Sequence, residues 1–167
     1  MASILVAYAT KYGSTREVAE RVAERLRKQG LQVEARAAGK VKSLDGYDAV
    51  VFGGALYMFR LISEGQRFLK RNRKKLSRLP FAAFGMGPVE DIEKQYVDAR
   101  GHLDKTLVKL QGVSPKDVTI FGGALDPTKL KFPFTGLKSF GAVDLRDWKV
   151  IEAWADSLPA KLGVKGA

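Results

Sequence analysis

Apolar positions along this chain follow two alternating rhythms, one for buried strands and one for helices. Ser3 to Ala9 is a continuous apolar run, the pattern of a strand covered on both faces of a parallel sheet. After a short turn, Val18, Val22 and Leu26, with Ala19 and Ala23, recur at helical spacing and predict a helix with one apolar stripe. Ser14 and Glu17 ahead of that stripe read as a Ser-x-x-Glu capping box, and Gly30 behind it as a glycine stop. Leu31 to Ala37 alternates, as a more exposed second strand does. Asp48 to Gly53 predicts a third, buried strand that ends in Gly53-Gly54, and a long basic helix through Phe68 and Leu69 then stops before Pro80. Phe81 to Phe84 is the fourth predicted strand, with Gly85-Met86-Gly87-Pro88 as its exit loop. A helix is expected from about Val89 to Leu110, interrupted at Gly101. Val118 to Phe121 is the fifth strand, ending in Gly122-Gly123. Ala124 to Arg146 reads as irregular, and a closing helix runs from Asp147 to about Leu162.

Strand–helix alternation of this kind predicts an α/β fold: a five-stranded parallel sheet with helices on both faces. No repeat or linker divides residues 1–167, so a single domain is expected. Composition narrows the chemistry. With no cysteine, disulfides, thiolate metal sites and cysteine nucleophiles are excluded, and a single histidine, His102, leaves no histidine-rich metal centre. His102 lies on a polar helix and reads as exposed; of Trp148 and Trp154, at least one belongs to the core. Met1-Ala2-Ser3 leads directly into the first strand and no apolar run reaches the length of a membrane span, so a cytoplasmic protein is expected.

Charge adds a question. The chain carries 29 Lys and Arg against 18 Asp and Glu, a net +11, much of it in Lys70-Arg71-Asn72-Arg73-Lys74-Lys75 flanked by Arg67 and Arg78. Such a run is either a solvated helix face, a contact for an anionic membrane at the inner face, or a contact for an acidic protein. Nucleic acid is not expected, because no recognition motif accompanies the charge.

In open parallel sheets ligands bind beyond the C-terminal ends of the strands. Glycine-bearing exits stand there at Thr10 to Thr15, Gly53 to Tyr57 and Gly85 to Pro88, and Gly122 to Leu125 is a further one. The first carries Thr10, Ser14 and Thr15 between a buried strand and a helix start. Hydroxyls and backbone N–H groups at a helix N-terminus form a natural phosphate cradle. The loop lacks the Gly-Lys-Ser/Thr of a mononucleotide P-loop, the Gly-x-Gly-x-x-Gly of a dinucleotide site, and the acidic residues of a response regulator. An ordinary capped turn accounts for Ser14 and Glu17 but not for the other two hydroxyls.

Thr10-Lys11-Tyr12-Gly13-Ser14-Thr15 resembles the Thr/Ser-x-Thr/x-Gly-x-Thr phosphate loop of the flavodoxins. Leu44 to Tyr57 resembles their third strand and flavin-contacting loop. Phe121-Gly122-Gly123-Ala124-Leu125 and Asp147-Trp148 resemble the menaquinone-dependent protoporphyrinogen oxidase (protoporphyrinogen IX dehydrogenase) branch of that superfamily. The resemblance implies a flavodoxin-like sheet of order 2-1-3-4-5 and one FMN. It implies that Thr10, Ser14 and Thr15 bond the phosphate, with Lys11, Tyr12 and Gly13 completing the cradle. Gly54, Ala55, Leu56, Tyr57 and Met58 would border the flavin on one side, and Met86, Gly87 and Pro88 on the other. Gly53 or Gly54 would permit a backbone flip near the flavin. Tyr57 is then either a stacking residue or a surface cover, and Tyr12 either a phosphate shield or surface packing.

No acid, base or nucleophile constellation is evident, and hydride or electron transfer by a flavin needs none. Two readings follow. One is an oxidoreductase passing electrons from a reduced substrate such as protoporphyrinogen to a quinone. The other is a flavodoxin-type one-electron carrier that docks to a redox partner protein. A basic chain departs from the acidic carriers, and clustered cations suit a flavoprotein working near a membrane quinone. Leu130 to Phe140, mixing three phenylalanines with lysines, reads as a membrane-facing or substrate-binding flap, or as a hairpin packed on its own sheet. An NAD(P)H-dependent quinone reductase is a weaker third reading, because no element for nicotinamide is evident.

Overall fold

A computed structural model describes residues 1–58, 60–129 and 141–166; the proposed flap at Leu130 to Phe140 lies outside the described residues. The elements run β1 (Ser3–Ala9), α1 (Ser14–Lys28), β2 (Gln32–Ala37), β3 (Ala49–Tyr57), β4 (Arg60–Leu61), α2 (Ser63–Arg71), α3 (Arg73–Leu76), β5 (Phe81–Met86), α4 (Glu93–Val108), β6 (Asp117–Phe121), β7 (Ala124–Leu125), β8 (Val143–Asp144) and α5 (Trp148–Leu162). The long strands are parallel in the order β2-β1-β3-β5-β6. That is the expected 2-1-3-4-5 order, departed from by one short strand, β4, which pairs antiparallel with β3. The expected irregular stretch after Phe121 also contains a small antiparallel pair, β7 with β8.

Alternation along the strands builds a core on each face of the sheet. Ile4, Val6 and Tyr8 of β1 meet Val18, Val22 and Leu26 of α1 and Ile151, Trp154 and Leu158 of α5. Leu5 and Ala7 face the other way, toward Phe52, Phe68, Leu69, Phe81, Leu103 and Leu107. Trp154 is thus the core tryptophan: it packs edge-on against Phe84 and Phe121, and its indole N–H donates to Asp117 at 2.7 Å. Trp148 packs against the edge of that core, partly buried, with the guanidinium groups of Arg21 and Arg146 at 4.8 and 5.1 Å from its ring centre.

Four local expectations are corrected. β3 does not end at Gly53 but continues to Tyr57, because Gly53 and Gly54 stay in register with Tyr8 and Ala9 on one side and Phe84 and Gly85 on the other. Side chains fill the space those glycines leave: a Cβ on Gly53 would fall 2.1 Å from the Phe84 ring, and one on Gly54 2.3 Å from Leu61. The long basic helix is two helices broken at Asn72, whose side-chain amide donates to the Phe68 carbonyl at 2.9 Å. Helix α4 runs through Gly101 without interruption. Finally, Ser14 is not a cap. The N-cap of α1 is Gly13, with no side-chain bond across it, and the Glu17 carboxylate instead pairs with Arg146.

Candidate functional site

The loop after β1 turns tightly because Gly13 adopts φ 97, a left-handed conformation that a Cβ would strain. Thr10 braces that turn: its hydroxyl oxygen accepts the Gly13 N–H at 2.9 Å. The first hydrogen bond of the α1 ladder runs from Glu17 N–H to the Gly13 carbonyl at 3.2 Å. The N–H groups of Ser14, Thr15 and Arg16 lie ahead of that bond, at the positive end of the helix. A neighbouring acid would compete for them, but Glu17 is drawn off by Arg146, which also pairs with Asp144 at 2.8 Å. The bond from Arg146 holds the Asp144 carboxyl below its ordinary range.

Ser14 and Thr15 open into a cavity of about 240 Å³ walled by Ala55, Leu56, Tyr57 and Met58 from β3 and its turn, and by Met86, Gly87 and Val89 after β5. Gln95, Gly123, Ala124 and Leu125 complete it. Thr15 is fully buried, and its hydroxyl is the one buried side-chain polar atom without a hydrogen-bond partner among the described residues. An orphan of this kind costs free energy unless a ligand satisfies it. The rest of the lining is apolar or backbone, apart from Ser14, the Tyr57 phenol and the Gln95 amide. Burial, with the nearby Tyr12 phenol, pushes the Tyr57 hydroxyl up to about 12, so it stays protonated near neutrality.

The aromatic pair at the mouth is ordered. Tyr12 meets Tyr57 edge-on with ring centres 5.9 Å apart, and the Lys11 ammonium sits 5.7 and 5.9 Å from the two ring centres. Beyond Tyr57, Met58 has φ 48, and the chain returns at once through the Tyr57–Arg60 pair of β3 and β4. Tight hairpin turns of this handedness need positive φ.

Of the residues singled out from the sequence, Ser14, Thr15, Ala55, Leu56, Tyr57, Met58, Met86 and Gly87 come together around the cavity. Thr10, Tyr12 and Gly13 support the loop without lining it, and Lys11 lines a neighbouring cleft with Tyr57 and Arg60. Gly54 is held within β3, opposite Gly85, with Leu61 packed over it. Pro88 is buried behind the wall, its carbonyl accepting the Gly123 N–H at 2.7 Å. The site expected from the sequence did not include Val89, Gln95, Gly123, Ala124 or Leu125. The glycine exit after β6 signalled three of them. Gln95 gave no signal, yet its carboxamide oxygen accepts the N–H groups of Val89 and Glu90 at 3.0 and 3.2 Å and fixes the wall after β5.

Against FMN these residues fit. A dianion at the α1 N-terminus would meet the Ser14 and Thr15 hydroxyls and the leading helix N–H groups, and an aromatic ring system would meet the apolar walls. The flavodoxin domain family matches residues 5–134. Protoporphyrinogen IX dehydrogenase [quinone] of Escherichia coli K12 is 27% identical over 124 residues, covering 72% of this chain and 68% of that protein. Among solved structures, the flavodoxin of Streptococcus pneumoniae TIGR4 is similar with a TM-score of 0.60 at 22% identity, over 96% of this chain and 99% of that one. Oxidised flavodoxin 2 of Bacillus cereus gives 0.57 at 17%, over 97% and 98%. A short-chain flavodoxin associated with a PDU bacterial microcompartment gives 0.63 at 20%, over 97% and 99%. The sheet, the hydroxyl-bearing loop and the family match agree: the chain belongs to the flavodoxin domain family, and FMN is its cofactor.

Proposed function

We propose that this protein is an FMN-dependent oxidoreductase that oxidises a reduced small molecule of the protoporphyrinogen kind and delivers the electrons to a quinone. The observation that carries this reading is the cavity itself: beside the phosphate loop it offers apolar walls and, among the described residues, no carboxylate, histidine or amine. Bound flavin supplies hydride or single-electron chemistry, and the protein has only to hold and orient it. Ser14 and Thr15 anchor the phosphate end; Tyr57, Met58 and Met86 shield the ring from water. The Escherichia coli relative, named for protoporphyrinogen and quinone, supports the choice of donor and acceptor.

A second reading, a one-electron carrier for a redox partner protein, is favoured by the near-complete coverage of flavodoxins of similar length. The two separate in an anaerobic assay of the FMN-loaded protein with protoporphyrinogen IX and menadione. Growth of porphyrin fluorescence that needs both the protein and the quinone supports the enzyme. Reduced flavin that is stable to quinone but reoxidised by a partner protein supports the carrier. Beneath both lies a titration: FMN binds tightly to the apoprotein and riboflavin, lacking phosphate, far more weakly. Equal binding of the two would overturn the phosphate-loop assignment.

We assign the protein to the cytoplasm; among the described residues no helix is long and apolar enough to cross a membrane. Contact with an anionic membrane through the basic α2–α3 segment is a weaker proposal. That segment leads into the start of β5, and the cavity lies beyond the end of β5. Six residues of strand separate them, about 20 Å at ~3.3 Å per residue.

A further inference from the structure

Ser14-x-x-Glu17 has the spacing of a capping box, in which the acid reaches back to the backbone N–H that opens the helix. In the structure Arg146 holds that acid instead. Arg146 stands just after β8 and spreads its guanidinium between two carboxylates. Its Nε and Nη2 donate to Asp144 at 2.9 and 2.8 Å, and its Nη1 donates to Glu17. The group lies 5.1 Å from the ring centre of Trp148, and the Arg146 side chain is only 12% exposed, against 59% for Glu17. The same stretch of chain carries a wall of the cavity. β8 pairs with β7, whose Ala124 and Leu125 line it, and the Leu145 N–H donates to the Gly123 carbonyl at 2.9 Å. One side chain thus ties the β7 wall to the first turn of α1. That first turn is marked as a ligand site by a separate observation, the buried Thr15 hydroxyl on the cavity wall, without a partner among the described residues.

We infer that Arg146 is a positioning residue for the cofactor: by holding Glu17 it keeps the Ser14 N–H open to the phosphate and so sets the preference of the site for FMN over riboflavin. The inference rests on the reading that places the phosphate at the α1 N-terminus, and adds to that loop a residue 129 positions beyond Glu17. Released from Arg146, the Glu17 carboxylate closes the capping box on Ser14. A carboxylate there opposes a dianion twice, by taking a donor that the phosphate needs and by repelling its charge. Riboflavin has no phosphate and meets neither obstacle. Arginine suits this task because its planar fork serves two carboxylates at once.

The test titrates the full-length apoprotein with FMN and with riboflavin and follows flavin fluorescence. The ratio of the two dissociation constants cancels any general loosening of the cavity. Arg146→Gln should lower the preference for FMN about fivefold at low salt, the scale of one charge at a helix N-terminus. High salt should shrink that loss, because Glu17 is exposed. Glu17→Gln alone should change the preference by less than about twofold, whereas Glu17→Gln added to Arg146→Gln should restore it to within about twofold of wild type. Arg25→Gln removes an equal charge from the same α1–α5 face, where Arg25 pairs with Asp156. It lies about 16 Å along the helix from Ser14 at ~1.5 Å per residue, and it should behave as wild type. An unchanged preference in Arg146→Gln, or an equal loss in Arg25→Gln, would overturn the role. A double variant as poor as Arg146→Gln would overturn it too, assigning Arg146 to the phosphate itself or to the fold. If Arg146→Gln does not fold, Arg146→Met, which keeps an apolar stem over Trp148, decides the same comparison with and without Glu17→Gln. A preference lowered in the first and restored in the second supports the role, and any other pattern overturns it. Equal binding of FMN and riboflavin by wild-type protein would instead refute the phosphate-loop reading beneath it.

Discussion

The two ends of the central sheet use polar groups in opposite ways. At the C-terminal ends of the strands, Thr15 buries a hydroxyl with no partner among the described residues, and the N–H groups of Ser14, Thr15 and Arg16 lie ahead of the first bond of the α1 ladder. At the N-terminal ends, three members of the basic run are tied into the fold. Arg71 donates to the Val41 carbonyl at 3.0 Å, Arg73 to the Gln111 carbonyl at 3.3 Å, and Lys75 pairs with Asp45. Part of the densest charge in the sequence therefore ties connecting segments together, whereas the cavity end carries fewer polar groups, one of them a buried hydroxyl without a partner among the described residues. Charge density alone points to one end of the molecule; unmet hydrogen-bonding capacity points to the other, where the cavity lies.

The sharpest way to break this contrast is Thr15→Val, which keeps the shape and removes the orphan hydroxyl. FMN should bind more weakly by about 1–3 kcal/mol, roughly 5- to 150-fold, the usual cost of a lost buried partner. Riboflavin affinity should not move. The apoprotein should be as stable as wild type or more so, because a buried hydroxyl with no partner has gone. Isothermal titration with both flavins and thermal melts of the apoprotein read the two effects separately. A drop in apoprotein stability with unchanged FMN affinity would mean that the hydroxyl serves the fold.

Arg71→Ala is the mirror experiment at the other end. It removes charge-assisted bonds to the Val41 and Ala38 carbonyls, and it should cost about 1–2 kcal/mol of stability in urea unfolding. FMN affinity should stay within about twofold, a change of ~0.4 kcal/mol. A large loss of FMN binding would show that the two ends are coupled and that the contrast fails.

Met58→Gly sharpens the picture at the ligand end. The left-handed backbone at φ 48 costs a β-carbon residue roughly 1–2 kcal/mol, and the added freedom of glycine in the unfolded chain offsets part of the relief. A net gain of about 0.5 kcal/mol in stability is expected. FMN should bind less tightly, because a side chain walling the cavity is lost. If stability falls instead, the Met58 side chain contributes more to the apoprotein than its exposure of 80% suggests.

The strand–helix rhythm and the hydroxyl-bearing loop were legible because both depend on neighbours in sequence. Apolar runs report burial directly, and Thr10 to Thr15 carries its chemistry within six residues. What escaped depends on distant partners. Ser14 and Glu17 match a capping box, but Arg146, 129 residues beyond Glu17, takes the carboxylate. β4 exists because Leu61 packs where Gly54 has no side chain, a fit that no periodicity announces. The break at Asn72 comes from a side chain bonding back to the preceding turn, which competes with helix continuation. Gln95 lines the cavity through an amide that acts on backbone groups five and six residues earlier, a role invisible in a half-buried polar residue of a polar helix.

The smallest expected effect tests the basic run itself. Lys70, Lys74 and Arg78 are exposed, and none has a hydrogen bond or ion pair through its side chain among the described residues. Changing all three to Gln takes the net charge from +11 to +8. Exposed charges without partners contribute little to folding, so stability should stay within about 0.5 kcal/mol. FMN affinity should not change, since the segment lies about 20 Å from the cavity, beyond two Debye lengths at physiological salt. Sedimentation with anionic vesicles at low salt supplies the remaining contrast. If the run is only a solvated face, wild type and variant sediment alike. If wild type alone is retained, and salt releases it, the far end of the sheet is a membrane contact that holds the cavity toward the aqueous phase. Electrons must then reach a soluble acceptor, or a quinone that leaves the bilayer to meet them.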